Sequence, residues 1–195
     1  MDATAANSPK RRDSARTKAA ILRSAQIAFA TRGYADVGLR DIGRDAGVDP
    51  ALAVRYFGSK EALFRDALKA SIDLSGLLAG GRERFGVTAV SRFLDAPRGE
   101  ANPLPMMVLA TADPVARAVA LEHLESDVLQ PLAAWLGGDD AMGRAVRITM
   151  LCTGFFTYFE LLPANALSGG VDPATRRWLE VSLQALADGG PDRSA

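Results

Sequence analysis

His123 and Cys152 are the only histidine and the only cysteine of this 195-residue chain, so bond-making chemistry has few places to sit. A Cys–His dyad would supply a nucleophile and a base. Cys152, however, lies among Met150, Leu151, Phe155 and Phe156, where a thiol stays protonated and inert. His123 stands between Glu122 and Glu125, which reads as a solvated helix face. There is no glycine-rich phosphate loop, no histidine pair at metal spacing and no nucleophile elbow. The sequence therefore gives no catalytic residue, no metal site and no cofactor. What it offers instead is anion-binding chemistry. Arg40, Arg44, Arg55, Tyr56 and Lys60 fall within one stretch, Leu39 to Phe64, with the donors that phosphate oxygens take.

That stretch needs short helices to hold it. Leu39 to Ala46 reads as one helix, and Gly47 as a turn taking positive φ. Asp49 caps the next helix, Pro50 to Phe57, and Pro50 fits its first turn, where a missing N–H costs nothing. Gly43 sits where the two helices must cross closely. Ile42, Val48 and Leu52 form their small shared core. This is helix-turn-helix grammar, with Pro50–Phe57 in the recognition position. Ser59 caps a further helix that begins at Lys60, and a helix N-terminus beside a lysine suits a phosphate.

The segment from Ile21 to Leu68 resembles the DNA-binding domain of TetR-type transcriptional regulators. The resemblance rests on Phe29-Ala30-Thr31-Arg32-Gly33-Tyr34, on Arg40-Asp41-Ile42, on Ala46-Gly47-Val48 and on the run Tyr56 to Glu61, in that order and spacing. It implies a double-stranded DNA operator as partner. Tyr56, Lys60, Arg40 and Arg44 would hold its backbone; Pro50, Ala51, Leu52, Val54 and Arg55 would meet base edges. Tyr56 as a core aromatic and Lys60 as a surface lysine are the plainer alternatives. Two places depart from the family. Val37-Gly38 stands where a Thr or Ser often caps the second helix. Ala51-Leu52-Ala53-Val54 stands where a Gly-Thr/Ser-Leu-Tyr stretch is usual. Small apolar residues can touch a thymine methyl but make no bidentate bonds, which leaves Arg55 as the long polar side chain for a guanine edge or a phosphate.

Composition agrees with such a partner. Net charge is zero overall. Residues 1–70 nevertheless hold 13 Lys/Arg against 8 Asp/Glu, and residues 71–195 hold 10 against 15. A basic front half suits a polyanion. Hydrophobic residues make up 48% of the chain, enough for a folded core. One thiol and no signal-type segment fit a reducing cytoplasm. The most apolar run, Ile148 to Phe159, is shorter than the ~20 residues of a spanning helix, so no membrane is expected.

The expected fold is all-α: an N-terminal three-helix DNA-binding domain and a C-terminal helical domain for ligand binding and dimerisation. Residues 1–13 read as a flexible basic arm, 14–70 as the DNA-binding domain and 71–195 as the second domain. The helix begun at Lys60 is expected to run toward Leu78 and couple the two. Asp-Pro opens helices at Asp49, Asp113 and Asp172. Pro131 is expected to kink or break the helix that follows Asp113 near Gln130. Gly143 and Gly154 suit close helix approaches, and Trp178, Leu179, Leu183 and Leu186 share a face of the last helix. Arg147 and Glu160 are placed to pair. A helix apolar nearly all round, as Ile148 to Phe159 is, must be buried on more than one side. By the resemblance, helices 140–162 and 173–187 make a homodimer. A small-molecule effector would sit among Phe85, Phe93, Met106, Met107, Leu109 and Trp135. Together these imply a ligand-responsive transcriptional regulator, most simply a repressor. The rival reading is a helical small-molecule-binding or catalytic protein with a relic DNA-binding domain.

Overall fold

A computed structural model describes residues 9–71, 74–95, 103–162 and 170–189. Among them the regular structure is helical and no strand occurs. The helices are α1 (Pro9–Arg32), α2 (Leu39–Asp45), α3 (Pro50–Phe57), α4 (Lys60–Ser71), α5 (Leu74–Leu78), α6 (Phe85–Leu94), α7 (Pro103–Ala110), α8 (Pro114–His123), α9 (Gln130–Leu136), α10 (Ala141–Phe156) and α11 (Pro173–Asp188). The chain divides into two compact units, residues 1–71 with 101–120, and residues 72–100 with 121–195.

In the first unit, Ile21, Ala25, Ala28 and Phe29 are buried along one face of α1, as their helical spacing requires. Phe29 and Phe64 meet edge to face at 5.0 Å, and Tyr34 packs on both. Buried Gln26 is satisfied by donating to the Ala67 carbonyl at 3.1 Å. α1 begins at Pro9, so residues 9–13, expected in the arm, are helical; proline is well suited to a first helical position. Residues 1–8 lie outside the described residues. α7 packs on α1 and α4 in this unit, although it follows α5 and α6 in the chain.

The Asp-Pro starts behave as their chemistry demands. Asp49 accepts from the Ala51 N–H, Asp113 from Val115 and Ala116, and Asp172 from Ala174 and Thr175. These bonds, led by the one from the Thr175 hydroxyl, hold the Asp172 carboxyl below its usual range. The helix from Lys60 is described as α4 and α5, with residues 72 and 73 outside the described set. Between α8 and α9 the chain winds as a π-helical turn, Leu124–Leu129. Pro131 has no N–H for the carbonyl four residues back, and its ring crowds that carbonyl. The helix, expected to kink or break near Gln130, absorbs the mismatch by widening over the turn just before that residue. A second π-helical turn, Thr157–Leu161, follows α10.

The second unit buries Phe85, Val90, Leu132, Leu136, Ile148, Leu179 and Leu183 between α6, α9, α10 and α11. Its close approach is at Gly86: a Cβ there would stand 2.0 Å from the Glu180 carbonyl oxygen. Gly143 and Gly154 are not where another helix of this unit comes close. A Cβ at Gly143 meets its neighbours Asp140 and Arg147, and one at Gly154 meets nothing within 4 Å. On the solvent side of the α6–α11 pair, Arg176 bonds Asp95 at 2.8 Å and Glu180 at 3.1 Å. The guanidinium hydrogen bond holds the Asp95 carboxyl below its usual range. Arg147 pairs with Asp140, while the Glu160 side chain lies outside the described residues.

Candidate nucleic-acid interface

The interface is built on α2 and α3. Gly47 turns between them at φ 68°, and Gly43 lets them cross: a Cβ at Gly43 would lie 2.8 Å from Pro50 Cα. Ile42 is buried beneath the crossing, with Val48 and Leu52 packed against the same core. Gly38 caps α2 through its extended backbone with no side-chain bond, as its lack of a hydroxyl dictates. Gly43→Ala is expected to cost about 2 kcal/mol, because overpacking against backbone outweighs the ~1 kcal/mol that alanine gains in a helix. Urea unfolding measures it, and a midpoint equal to wild type would show slack between α2 and α3.

Each residue named for DNA has a definite place. Ala51, Val54 and Arg55 are exposed on α3; Arg40 and Arg44 are exposed on α2. Pro50 is half-buried against Gly43. Leu52 is half-buried and belongs mainly to the core. Arg44 pairs with Asp41 at 3.1 Å, an exposed i,i+3 contact that a phosphate can displace at little cost. Tyr56 is half-buried and packs its ring on the core.

The start of α4 brings a second set of hydrogen-bond donors near α3. Gly58, at φ 74°, separates it from α3, and Ser59 Oγ accepts from the Ala62 N–H at 3.0 Å. The first N–H groups of a helix have no intrahelical partners, so those of Lys60 and Glu61 face outward at its positive end. Lys60 is half-buried, which the sequence did not reveal. Its ammonium donates to the Tyr34 carbonyl at 3.0 Å and lies 4.2 Å over the Tyr34 ring. An ammonium has three N–H bonds, so this tether leaves donors for a phosphate.

The residues named for a ligand are not brought together within either unit. Phe85 and Trp135 meet in the second unit, ring centroids 5.3 Å apart. Met106 is buried in the first unit's core, Met107 packs against it, and Leu109 is half-buried near Gly33. α7 is apolar nearly all round, so its side chains are drawn into the core that α1 and α4 offer. The Phe93 side chain lies outside the described residues. The second unit does hold a small apolar crevice, about 220 Å³ including its open mouth, lined by Val90, Leu94, Cys152, Phe155, Leu179 and Leu183. Burial pushes the Cys152 thiol up to about 12, in keeping with an inert cysteine.

Two profiles cover most of the chain. Residues 21–67 match the bacterial regulatory proteins of the tetR family, and residues 83–186 match a tetracyclin repressor-like C-terminal domain. The chain belongs to the TetR family. It is thus a transcriptional regulator, and α2 and α3 are its DNA-binding helix-turn-helix. Solved structures of other TetR-type proteins share the fold. A TetR-family regulator from Streptomyces coelicolor A3 is 24% identical, with a TM-score of 0.51, over 89% of this chain and 95% of that one. The multidrug binding protein EbrR, complexed with ethidium, is 18% identical, with a TM-score of 0.60, over 87% of this chain and 98% of that one. A transcriptional regulator from Saccharomonospora viridis, in complex with choline, is 19% identical, with a TM-score of 0.57, over 90% of this chain and 97% of that one. No curated protein matches the chain at a significant level.

His123 is where the sequence misled. It is 4% exposed, although glutamates flank it. The signal was in the helical phase: Ala116, Val119, Ala120 and His123 recur at i, i+3, i+4 and i+7 on one buried face of α8. No helix among the described residues is long and apolar enough to cross a membrane.

Proposed function

We propose that this TetR-family protein is a repressor that binds a near-palindromic operator as a homodimer and leaves it when a small ligand binds. The observation that carries the reading is the exposed face of α3 and α2, with Val54 43% exposed beside Arg55, Arg40 and Arg44. Small apolar residues flanked by guanidinium groups suit a major groove, with Val54 toward thymine methyls and arginines toward guanine or phosphate. Tyr56, Lys60 and the N-terminus of α4 would hold the backbone.

The homodimer is supported by a second exposed surface. Met142, Val146 and Met150 follow one another at i, i+4 and i+8 on α10, and Trp178 and Val181 line α11. Trp178 is 57% exposed, while Leu179 and Leu183 on the same helix are buried. A patch of this kind marks an interaction site. For two copies meeting through residues 140–162 and 173–187 to read two half-sites, their recognition helices must sit about one DNA turn, ~34 Å, or slightly more apart. The ethidium and choline held by two structural relatives support a small organic effector. Ligand and DNA must then weaken one another by the same factor.

Selection of bound sites from random DNA at two salt concentrations tests the reading. A near-palindrome bound less tightly at high salt upholds it, and no enriched site at either salt overturns it. Two variants separate the roles. Arg55→Ala should change preference among bases by ~1–3 kcal/mol, whereas Lys60→Ala should weaken all sequences alike and flatten the salt dependence by about one phosphate contact. Binding titrations on the selected site and its single-base variants measure both; unaltered base preference in Arg55→Ala would remove it from base reading.

A further inference from the structure

His123 is the sole imidazole of the chain, and it is buried. Its Nδ1 stands 2.9 Å from Asp127 Oδ2. A carboxylate only accepts, so Nδ1 carries the proton, and in the neutral ring Nε2 presents a lone pair. Among the described residues, that Nε2 is the buried side-chain nitrogen or oxygen with no hydrogen-bond partner. The other buried polar side chains, Gln26 and Arg144, are bonded to backbone carbonyls. Native chains rarely leave such an atom unpaired, and an exception points to a group supplied from outside.

The surroundings of the ring are specific. His123 is the last residue of α8, and Asp127 lies within the π-helical turn Leu124–Leu129. If the ring only filled space, leucine would do so without an unpaired atom and without Asp127.

We propose that His123 is the polar anchor of the effector site, accepting through Nε2 a hydrogen bond from an O–H or N–H group on a small, otherwise apolar ligand. The class follows from the inventory: one fixed acceptor, and no second buried polar side chain left unpaired among the described residues. Asp127 is a positioning residue that sets the tautomer. The inference rests on the reading of the chain as a ligand-responsive regulator and names the chemistry of that response.

Because the full-length protein has one histidine, long-range ¹H–¹⁵N spectra report its two ring nitrogens without interference. Phenol and benzyl alcohol are titrated as donors, with toluene as the matching body that lacks one. Both donors should move the Nε2 resonance upfield saturably, and toluene should not. Asp127→Ala should mix the tautomers and weaken the donors a few-fold, by the fraction of rings that no longer present a lone pair at Nε2. His123→Leu, followed by thermal shift, should fold normally and bind phenol and toluene alike. An Nε2 resonance unmoved by both donors, moved equally by toluene, or a donor preference that survives in His123→Leu overturns the proposal. An unmoved Nε2 in a protein that still selects an operator removes the anchor and keeps the repressor. A moved Nε2 without a selected operator does the reverse.

Discussion

Gly86→Ala is expected to destabilise the protein by about 3 kcal/mol, at the upper end for overpacking, and to lower Tm by roughly 10 °C for a chain of this length. In an exposed helix the same change would stabilise by ~1 kcal/mol, since alanine is the better helix former. The sign reverses here because the added methyl has nowhere to go. It would stand 2.0 Å from the Glu180 carbonyl oxygen and 3.0 Å from the Gln184 amide nitrogen. Both are helix backbone, so no rotamer relieves the clash and α6 must part from α11. That separation also strains the Gly86 N–H bond to Gln184 Oε1 and the Gln184 bond to the Arg82 carbonyl, made at 3.0 and 2.8 Å. It loosens Phe85, Ala89 and Val90 from Leu179 and Leu183 as well. Calorimetry or urea unfolding reads the effect. A wild-type midpoint would mean that the two helices do not approach closely in solution.

Gly86 also shows what sequence can and cannot reveal. Glycine mid-helix signals either a defect or a close approach, and the sequence pointed to Gly143 and Gly154 with equal reason. Only the partner backbone distinguishes them, and that partner, Glu180, is far along the chain. Where the physics is local, residues were readable. Asp49, Asp113 and Asp172 cap the helices they precede, because the cap and its N–H lie two or three residues apart. Gly43 and Gly47 were legible for the same reason, being set by a short turn. Lys60 was half legible: its place at the start of α4 followed from Ser59, but its bond to the Tyr34 carbonyl spans distant residues. α7 lies in the stretch that matches the C-terminal domain, yet its apolar surface is spent on α1 and α4, which its order in the chain does not announce. The shape of the helix-turn-helix therefore follows from neighbours, and the content of any ligand site follows from contacts that no spacing announces.

The second large effect belongs to Arg144, a buried cation with no carboxylate partner among the described residues. Its Nη1 donates to the Leu186 and Ala187 carbonyls at 3.3 and 3.0 Å, at the end of α11. Its Nη2 donates to Leu136 at 3.2 Å and to Gly137, at the end of α9. Two helix C-termini thus supply the negative potential that a counter-ion would otherwise provide. Arg144→Met keeps most of the volume and removes the burial cost of a cation, which favours the variant. Against that, the Gly137, Leu186 and Ala187 carbonyls lose this donor, at ~1–3 kcal/mol for each that water does not reach. Leu136 keeps its bond from Arg82 at 2.6 Å. The losses outweigh the gain, and a net destabilisation of about 3 kcal/mol is expected, near 10 °C in Tm. Arg144→Lys separates the two causes. A lysine supplies the charge but not a planar fork able to reach both helix ends. If charge at the helix ends dominates, lysine restores most of the stability; if the fork dominates, it restores little. Arg144→Met with wild-type stability would mean that the guanidinium ties neither helix. Because α10 and α11 carry the proposed dimer face, destabilised variants should also lose operator affinity in proportion to the dimer they lose, with the base preference of Arg55 unchanged.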